Sequence, residues 1–282
     1  MEAQVYPLTM LESLRTIRNA LCDDLEAQIQ HIPTELLPSS TFFASLNDQD
    51  RTTAFRFCLL AWYSTHGTEV PRELQLRAAL SAVEQDSLLI AGTGSGKTHV
   101  MALLILLNDD EKRVVVTISP LKRLQVTQVS DFKSKYGINT LAINDETPRN
   151  KDYWRIHVHN GKKDASQDGT AKHLIVTAEQ LFKSREGHWT RLSLLLRDKA
   201  FRARILRINV DEAHFLFFAG TSRYGVQAFR PCWGRLDDLK VTLPQSILWH
   251  GFTATCPPHI QTAIEASFLR SGYPSESSRP EK

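Results

Sequence analysis

The segment AGTGSGKT at residues 91–98 limits the possible folds of this chain more than any other feature. It follows a short apolar run, DSLLIA at 86–91, and precedes a helix-like stretch near 97–107. Its three glycines let the backbone turn tightly, so that consecutive N–H groups point inward at an anion, and the helix adds its positive N-terminal end. This order of strand, loop and helix predicts a phosphate-binding site.

The residues of this loop have distinct predicted roles. Lys97 can reach the β- and γ-phosphates of a nucleotide as a point charge, and the Thr98 hydroxyl is placed to bind Mg²⁺. The usual pattern begins with Gly, where this chain has Ala91. The residues of the loop that are predicted to bind the nucleotide are Gly92, Thr93, Gly94, Ser95, Gly96, Lys97 and Thr98.

An acidic pair ends another apolar run, in the sequence VDEAH at 210–214. Asp211 is predicted to hold the Mg²⁺ ion, directly or through water, and Glu212 to orient or deprotonate the attacking water. The alternative interpretation is a strand that ends in ordinary surface acids. We expect the Lys97 ammonium and the Asp211 carboxylate to converge at the carboxyl edge of adjacent strands.

From residue 70 onward, apolar runs alternate with helix-like stretches. Continuous apolar strands separated by helices predict a parallel sheet that is covered on both faces, an α/β fold. The predicted strands are 86–91, 113–119, 139–144, 173–178, 205–214 and 247–255. The predicted helices lie near 97–107, 121–136, 178–200, 231–242 and 258–269.

The flanking regions have a different character. Leucines and isoleucines at 11, 14, 17, 21, 25 and 29 recur at helical spacing and predict one amphipathic helix, followed by a second helical stretch over 42–63. The sequence therefore predicts an all-helical accessory region over 1–68 and a nucleotide-binding domain over 69–270. The polar segment SGYPSESSRPEK at 271–282 predicts a disordered tail.

Composition excludes several classes of protein. With 42% hydrophobic and 23% charged residues the chain is an ordinary globular protein, and its net charge of +3 means that any nucleic-acid contact must come from a local patch. The longest apolar run, 100–107, is far shorter than the ~20 residues that cross a bilayer, and no secretory signal is visible. The four scattered cysteines indicate a reducing, intracellular setting without a zinc site (Cys22, Cys58, Cys232 and Cys256).

The loop that begins with Ala91 and the sequence Asp-Glu-Ala-His at 211–214 together resemble superfamily 2 helicases, and more specifically the RecQ family of DNA helicases. The resemblance covers roughly residues 70–260. It implies a P-loop NTPase of the RecA-like type that uses ATP and Mg²⁺, acts on single-stranded or forked DNA in the 3′ to 5′ direction, and lies in the nucleus. It also implies that Lys97, Asp211, Glu212 and His214 are catalytic, with His214 relaying between Glu212 and the segment from Thr253 to Thr255.

Several further segments match the same family in order. RELQ at 72–75 resembles the adenine-reading motif, which implies that Arg72 and Gln75 contact the base. SPLKRLQVTQV at 119–129 resembles the segment that meets the nucleic-acid strand, and FTAT at 252–255 resembles the motif that couples the ATP site to DNA. The residues that these segments and the aromatic-rich loop at 215–231 offer for nucleic-acid contact or coupling are Ser119, Pro120, Tyr224, Arg230, Thr253 and Thr255.

The chain also departs from the family. The aromatic-rich loop is longer than expected, and Thr68 and Pro71 stand where the adenine motif usually has aromatic residues. Only 27 residues (282 − 255) follow Thr255, too few for a second RecA-like lobe. We therefore expect ATP–Mg²⁺ binding, slow hydrolysis at best, and no processive unwinding by this chain alone.

Two other functions remain open. The chain could be a non-catalytic relic that holds nucleotide, DNA or, through its helical N-terminus, a partner protein. It could instead be a lobe of a DEAH-class RNA helicase, although that class lacks an adenine motif like Arg72–Gln75. Hydrolysis of ATP that is stimulated by single-stranded DNA, with Lys97→Ala as the control, separates an enzyme from a relic.

Overall fold

The computed structural model describes residues 9–162, 169–184, 186–223, 225–270, 273 and 275–277. Its centre is a parallel sheet in which the strand order is β3-β4-β2-β5-β6-β1-β7. The strands are β1 Ser87–Ile90, β2 Val114–Ile118, β3 Thr140–Ile143, β4 His173–Val176, β5 Ile205–Asp211, β6 Leu248–Thr253 and β7 Ser275–Ser277. All six predicted strands are confirmed, and so is the parallel α/β fold.

Helices connect and cover these strands. The α-helices are α1 Met10–Asn19, α2 Cys22–Ile29, α3 Ser40–Ala44, α4 Asp48–Ser64, α5 Glu73–Ser81, α6 Lys97–Leu106, α7 Lys122–Tyr136, α8 Lys151–His157, α9 Arg191–Leu195, α10 Lys199–Arg202, α11 Phe215–Gly220, α12 Leu236–Thr242 and α13 Pro258–Phe268. Two short 3₁₀-helices span Ala178–Leu181 and Pro231–Arg235. The helix predicted over 178–200 is wrong as a single element, because the chain forms three short helical pieces there.

Both faces of the sheet are buried. In β1, Leu88 and Ile90 pack into one hydrophobic core while Leu89 packs into the other. In β2, Val116 and Val115 divide between the two cores in the same way. Successive side chains of a strand point to opposite faces, so strands that are apolar at every position need cover on both sides. Because both faces of the sheet are covered, its strands appear in the sequence as continuous apolar runs.

The N-terminal helices share a core with the nucleotide-binding domain. Helices α1 to α4 bury their apolar side chains in the same core as α5, α6 and α7. Helix α6 is buried from His99 to Leu106, and α4 packs directly on it. An α-helix that is apolar on every side must be covered all round. Residues 9–64 supply part of that cover and are not a separately packed module.

Two predictions about the flanking regions differ from the structure. The single helix predicted over 11–29 is wrong, because the backbone is extended at Ala20 and α1 and α2 are separate helices. Leu21 lies at this break and is 75% exposed, although Leu14 and Leu25 are buried. The predicted disordered tail does not hold for Ser275–Ser277, which pair in parallel with β1; its remaining residues, except Tyr273, lie outside the described residues.

No helix within the described part of the chain combines the length and the apolar character needed to cross a membrane.

Candidate nucleotide-binding site

The loop between β1 and α6 has the backbone conformation that its glycines permit. Gly94 and Gly96 have φ angles of +79° and +83°, in the left-handed region that side-chain-bearing residues avoid. Gly96 is also the N-cap of α6. A Cβ atom at Gly96 would overlap Nε2 of Gln75, whereas one at Gly94 would meet open space. Gly96 is therefore required by both its conformation and its neighbour.

Lys97 turns back onto the loop. Its Nζ donates hydrogen bonds to the carbonyl oxygen of Ala91 at 2.9 Å and to that of Gly92 at 3.3 Å. The hydroxyl of Ser95 is buried and has no partner. The first N–H groups of a helix also lack acceptors within it. An ammonium and free N–H groups at one loop fit the charge and the oxygen atoms of a triphosphate.

Gln75 lies under this loop. Its Nε2 donates to the carbonyl oxygen of Ser95 at 2.9 Å, and its Oε1 accepts from the backbone N–H of Arg72 at 2.8 Å. Only 7% of Gln75 is exposed. The sequence predicts that Gln75 and Arg72 contact the base, but the amide of Gln75 is used here to hold the loop. Arg72 is exposed and lines the adjoining cavity.

The predicted acidic residue ends a buried strand. Asp211 is the last residue of β5 and is 6% exposed, and its Oδ2 accepts a hydrogen bond from Gln128 Nε2 at 2.9 Å. Burial raises the pKa of Asp211 above its ordinary value, while Gln128 and the charge of Lys97 act in the opposite direction. Sequence reasoning missed Gln128, for which the motif spacing gave no signal.

Strand β1, which leads into the loop of Lys97, and strand β5, which ends at Asp211, are not adjacent, and this corrects the expectation from the sequence. Strand β6 lies between β1 and β5. The carbonyl oxygen of Thr253, at the end of β6, accepts from the N–H of Ala91 at 2.9 Å. On the other side, the carbonyl oxygen of Phe252 accepts from the N–H of Ala213 at 2.9 Å. The end of β6 therefore touches both the phosphate loop and the acidic segment.

Glu212, His214 and Thr253 form a connected polar group. His214 Nδ1 lies 3.3 Å from Glu212 Oε2 and 3.0 Å from Thr253 Oγ1. The Thr253 hydroxyl donates to the carbonyl oxygen of Thr255 at 3.0 Å. Because that proton is committed to Thr255, we assign the shared proton of the His214–Thr253 contact to Nδ1. Burial lowers the pKa of His214, with the charge of Asp211 opposing this shift and that of Lys97 adding to it.

Glu212 has an unusual backbone. Its φ angle is +50°, one of two positive values among described residues other than glycine. Such a conformation is sparsely populated for a residue with a side chain and is held in place by its surroundings. Here the N–H of Glu212 donates to Asp211 Oδ1 at 3.0 Å. The turn separates the two carboxylates, so that Asp211 is buried while Glu212 is half-buried beside His214.

The residues predicted to contact nucleic acid are less accessible than the sequence suggests. The side chain of Ser119 is fully buried, and Pro120 is buried. Arg230 donates to both carboxylate oxygens of Glu179, at 2.8 and 2.7 Å, and to the carbonyl oxygen of Pro120. Arg230 therefore fixes the segment around Pro120. Thr255 is exposed, and Tyr224 lies outside the described residues.

The site fits a nucleotide-bound Mg²⁺ ion better than a metal held by protein alone. No group of three or more His, Cys, Asp and Glu within the described ranges could hold a metal. A Mg²⁺ ion commonly takes one or two protein oxygens and completes its shell with phosphates and water. The Thr98 hydroxyl and the buried Asp211 carboxylate fit that requirement. Fold and loop together define a P-loop NTPase with a RecA-like core.

The profile of the DEAD/DEAH box helicase family matches residues 72–263. Because this match covers more than half of the chain, the chain belongs to the DEAD/DEAH box helicase family. The matched range begins at Arg72 and includes the phosphate loop, the acidic segment and the end of β6. This match does not distinguish the RecQ subtype from other members of the family. No curated protein matches the sequence significantly.

Solved structures with the same fold include two of Dbp5 variants from S. cerevisiae. One, bound to RNA and ADP BeF3, has a TM-score of 0.53 at 15% identity, over 80% of this chain and 50% of that one. The other, bound to a Gle1 variant and IP6, has a TM-score of 0.54 at 15% identity, over 86% and 53%. A hypothetical ATP-dependent RNA helicase from Sulfolobus tokodaii has a TM-score of 0.47 at 17% identity, over 73% and 52%. This chain thus spans about half the length of these structures, and its likeness to the two Dbp5 structures is one of fold.

Proposed function

We propose that this chain is the ATP-binding lobe of a RecQ-like DNA helicase, which binds ATP–Mg²⁺ and single-stranded or forked DNA and hydrolyses ATP slowly by itself. One arrangement supports the proposal above all. The phosphate loop follows the carboxyl end of β1, Asp211 ends β5 and Thr253 ends β6, and these three strands are neighbours in the sheet. Ligands of open parallel sheets bind at this edge.

In this proposal, different side chains of the site have different roles in ATP hydrolysis. The Lys97 ammonium exchanges the carbonyl oxygens of Ala91 and Gly92 for phosphate oxygens. Thr98 and Asp211 would hold the Mg²⁺ ion, which supplies positive charge next to the phosphates when bound. Glu212 orients the attacking water and accepts its proton, and His214 lies beside the Glu212 carboxylate with its Nδ1 proton directed to Thr253.

A groove beside the ATP edge is suited to a single strand. This cavity of about 750 Å³ is lined by cationic and aromatic side chains, among them Arg149, Lys183, Arg191, Trp189 and Phe229, together with the carboxylates of Asp145, Glu179 and Glu186. Phe229 is 80% exposed, and Trp189 is 39% exposed. Exposed rings stack on unpaired bases at about 1–3 kcal/mol per base, and cations nearby attract the phosphates. Lys183 and Arg197 already lie over the ring of Trp189, so Phe229 is our candidate for stacking and Arg149 and Arg191 are our candidates for phosphate contact.

The choice of DNA rests on resemblance in the segments at 72–75 and 119–129. A specific observation favours RNA as a second candidate, because one solved structure with this fold is a Dbp5 variant bound to RNA. We also propose that the protein lies in the nucleus. A partner protein at the N-terminal helices is a further candidate function, supported by Leu11 and Leu21, which are 72% and 75% exposed.

The test measures ATP hydrolysis with no nucleic acid, with single-stranded DNA, and with RNA of the same sequence. We expect DNA to stimulate the wild-type protein most. Lys97→Ala should weaken nucleotide binding about 10- to 100-fold, since a charge-assisted hydrogen bond contributes roughly 1.5–3 kcal/mol. Glu212→Gln should bind ATP normally and lose about 10²- to 10⁴-fold in rate. Lys133→Ala, an exposed lysine of α7, serves as the matched control.

Three outcomes would change the proposal. Full activity in Glu212→Gln would reject its role as the base. Stimulation by RNA and not by DNA would select the RNA helicase alternative. Binding of ATP–Mg²⁺ by the wild-type protein without any hydrolysis, with or without either nucleic acid, would identify a non-catalytic relic.

A further inference from the structure

A second groove lies between α9 and α12, and its buried lining belongs to the core on the face of the sheet opposite the N-terminal helices. It has a volume of about 520 Å³ and is lined by residues of both helices and of the segment at 181–183. The Thr190 hydroxyl donates to the carbonyl oxygen of Gln180 at 2.5 Å, and Arg202 donates to that of Thr242 at 2.7 Å. These two contacts fix the start of α9 and the end of α12, so the walls of the groove are held by the fold itself.

Much of the lining of this groove is apolar. Two of its apolar side chains reach the solvent, since Val241 is 89% exposed and Trp189 is 39% exposed. A ligand with an apolar side chain would remove both surfaces from water, which favours its binding. The buried apolar residues of the lining are Leu181, Phe182, Leu196 and Leu239.

Cations lie against the aromatic rings of the groove. The Lys183 ammonium is 4.4 Å and the Arg197 guanidinium carbon 3.8 Å from the centre of the Trp189 ring. The guanidinium carbon of Arg235 is 4.7 Å from the centre of the Phe182 ring. A ring contact restrains a guanidinium and leaves the N–H groups at its edge available for a carboxylate. The two arginines are therefore placed to donate to an acidic ligand.

The groove has less negative than positive charge. Among the described residues that line it, Asp238 is the only carboxylate, and it pairs with Arg235 at 2.8 Å. Neither Lys183 nor Arg197 forms an ion pair with a carboxylate within the described part of the chain. Three cations and one carboxylate leave the lining with a net charge of +2 (3 − 1). An acidic ligand complements this charge.

The same features favour an acidic peptide over a nucleic-acid strand. A strand binds through ring faces on which its bases stack, but the Trp189 ring already carries two cations. The polar edges of a base would find few partners among the apolar side chains of this lining, whereas a leucine or phenylalanine side chain would pack there. Only Lys183 and Trp189 are shared with the groove proposed for the strand.

We propose that the groove between α9 and α12 binds an acidic segment of a partner protein. Carboxylates of the segment pair with Arg197 and Lys183, and a neighbouring apolar side chain packs against Val241. This function goes beyond ATP hydrolysis and strand binding. Lys97 and Asp211 do not line the groove, so the partner and the nucleotide occupy different sites.

The test selects random peptides displayed on phage against the full chain at low salt. Enriched peptides should combine Asp or Glu with Leu, Ile or Phe, and synthetic labelled copies are then titrated by fluorescence anisotropy. Arg197→Ala should weaken their binding about tenfold or more, and Arg197→Lys, which keeps the charge but not the planar group, by less. Val241→Asp should weaken it as well, by charge repulsion and loss of apolar contact. Lys199→Ala, an exposed cation outside the groove, should bind as the wild type does.

Thermal unfolding of each variant shows whether it is folded, and Arg197→Lys carries the test if Arg197→Ala is not. Absence of enrichment, or enrichment of peptides without acidic residues, would overturn the proposal. Unchanged binding of the selected peptides to the folded Arg197 and Val241 variants would overturn it by placing their site elsewhere. Single-stranded DNA that displaces the peptides and itself binds Arg197→Ala about tenfold less tightly would assign the groove to a strand instead. Peptide binding requires neither ATP nor DNA, so this result is independent of the test of the proposed function.

Discussion

Gln128 in the middle of α7 donates a hydrogen bond of 2.9 Å to the carboxylate of Asp211 at the end of β5. Its other amide atom, Oε1, is buried without a partner. Helix α7 begins at Lys122, directly after the segment at Ser119 and Pro120 that resembles a nucleic-acid contact. The helix therefore links that segment to the carboxylate proposed to hold Mg²⁺.

Replacing Gln128 by Leu should move the acid limb of ATP hydrolysis to higher pH. The hydrogen bond from Gln128 lowers the pKa of Asp211 and opposes the larger effect of burial. Without this donor the pKa rises further, so Asp211 becomes protonated at a higher pH and loses its capacity to hold the metal. Measuring the hydrolysis rate against pH at a fixed excess of Mg²⁺ checks the shift. Thr127→Ala, an exposed neighbour on α7, is the control, and an unshifted profile in Gln128→Leu would contradict the role.

Asp211→Asn should stabilise the free protein at neutral pH while abolishing its response to ATP–Mg²⁺. Burial raises the folded-state pKa of Asp211 above its ordinary value of 3.8. The folded protein then binds the proton more tightly than the unfolded chain, so this group's contribution to stability is full below 3.8 and falls as pH rises through the folded-state pKa.

Thermal unfolding checks this prediction over a range of pH. The unfolding temperature of Asp211→Asn should exceed that of the wild type at pH 7, and the difference should shrink below the ordinary carboxyl pKa. Added ATP–Mg²⁺ should raise the unfolding temperature of the wild type only. Lower stability of Asp211→Asn at pH 7 would show that the carboxylate is compensated in the free protein.

The parts of the site that the sequence predicts are those set by local order along the chain. The phosphate loop needs only a strand, glycines and a helix in succession, and Asp211 follows directly from the apolar run of β5. Gln128 is different, because it lies 83 residues before Asp211 and meets it only through packing of α7. Periodicity likewise favours one helix through Leu21, although the extended backbone at Ala20 turns α2 onto α4. Contacts between distant segments decide both cases, and local pattern carries no information about them.

Gly96→Ala should lower both stability and nucleotide affinity. The φ angle of +83° alone costs a residue with a Cβ roughly 1–2 kcal/mol, and the new atom would also displace the Gln75 amide that holds the loop. Gly94→Ala is a matched control, since its φ of +79° imposes the same backbone strain but its Cβ would meet open space. Denaturant unfolding and ATP titration of both variants measure the difference.

The contribution of the Gln75 contact can be isolated with a second substitution. Gln75→Ala introduced into Gly96→Ala removes the atom that the new Cβ would overlap, so the pair should lose less stability than the two single losses added together. Strictly additive losses, or equal effects of Gly96→Ala and Gly94→Ala, would mean that only backbone strain matters at this position.

Thr253→Val should separate nucleotide binding from its stimulation by nucleic acid. Valine keeps the shape of the buried side chain but removes the hydroxyl that contacts His214 Nδ1 at 3.0 Å and bonds to Thr255. The hydrogen bond between the phosphate loop and Thr253 is made by the Thr253 backbone, so ATP binding should stay within about threefold of the wild type, while each lost side-chain hydrogen bond costs about 1 kcal/mol of stability. Stimulation of hydrolysis by a single strand should fall about tenfold or more, because the link between the end of β6 and Glu212 is lost. Thr262→Val, on the exposed face of α13, is the control. An equal fall of the stimulated and unstimulated rates would assign Thr253 to the chemistry alone and reject its part in coupling.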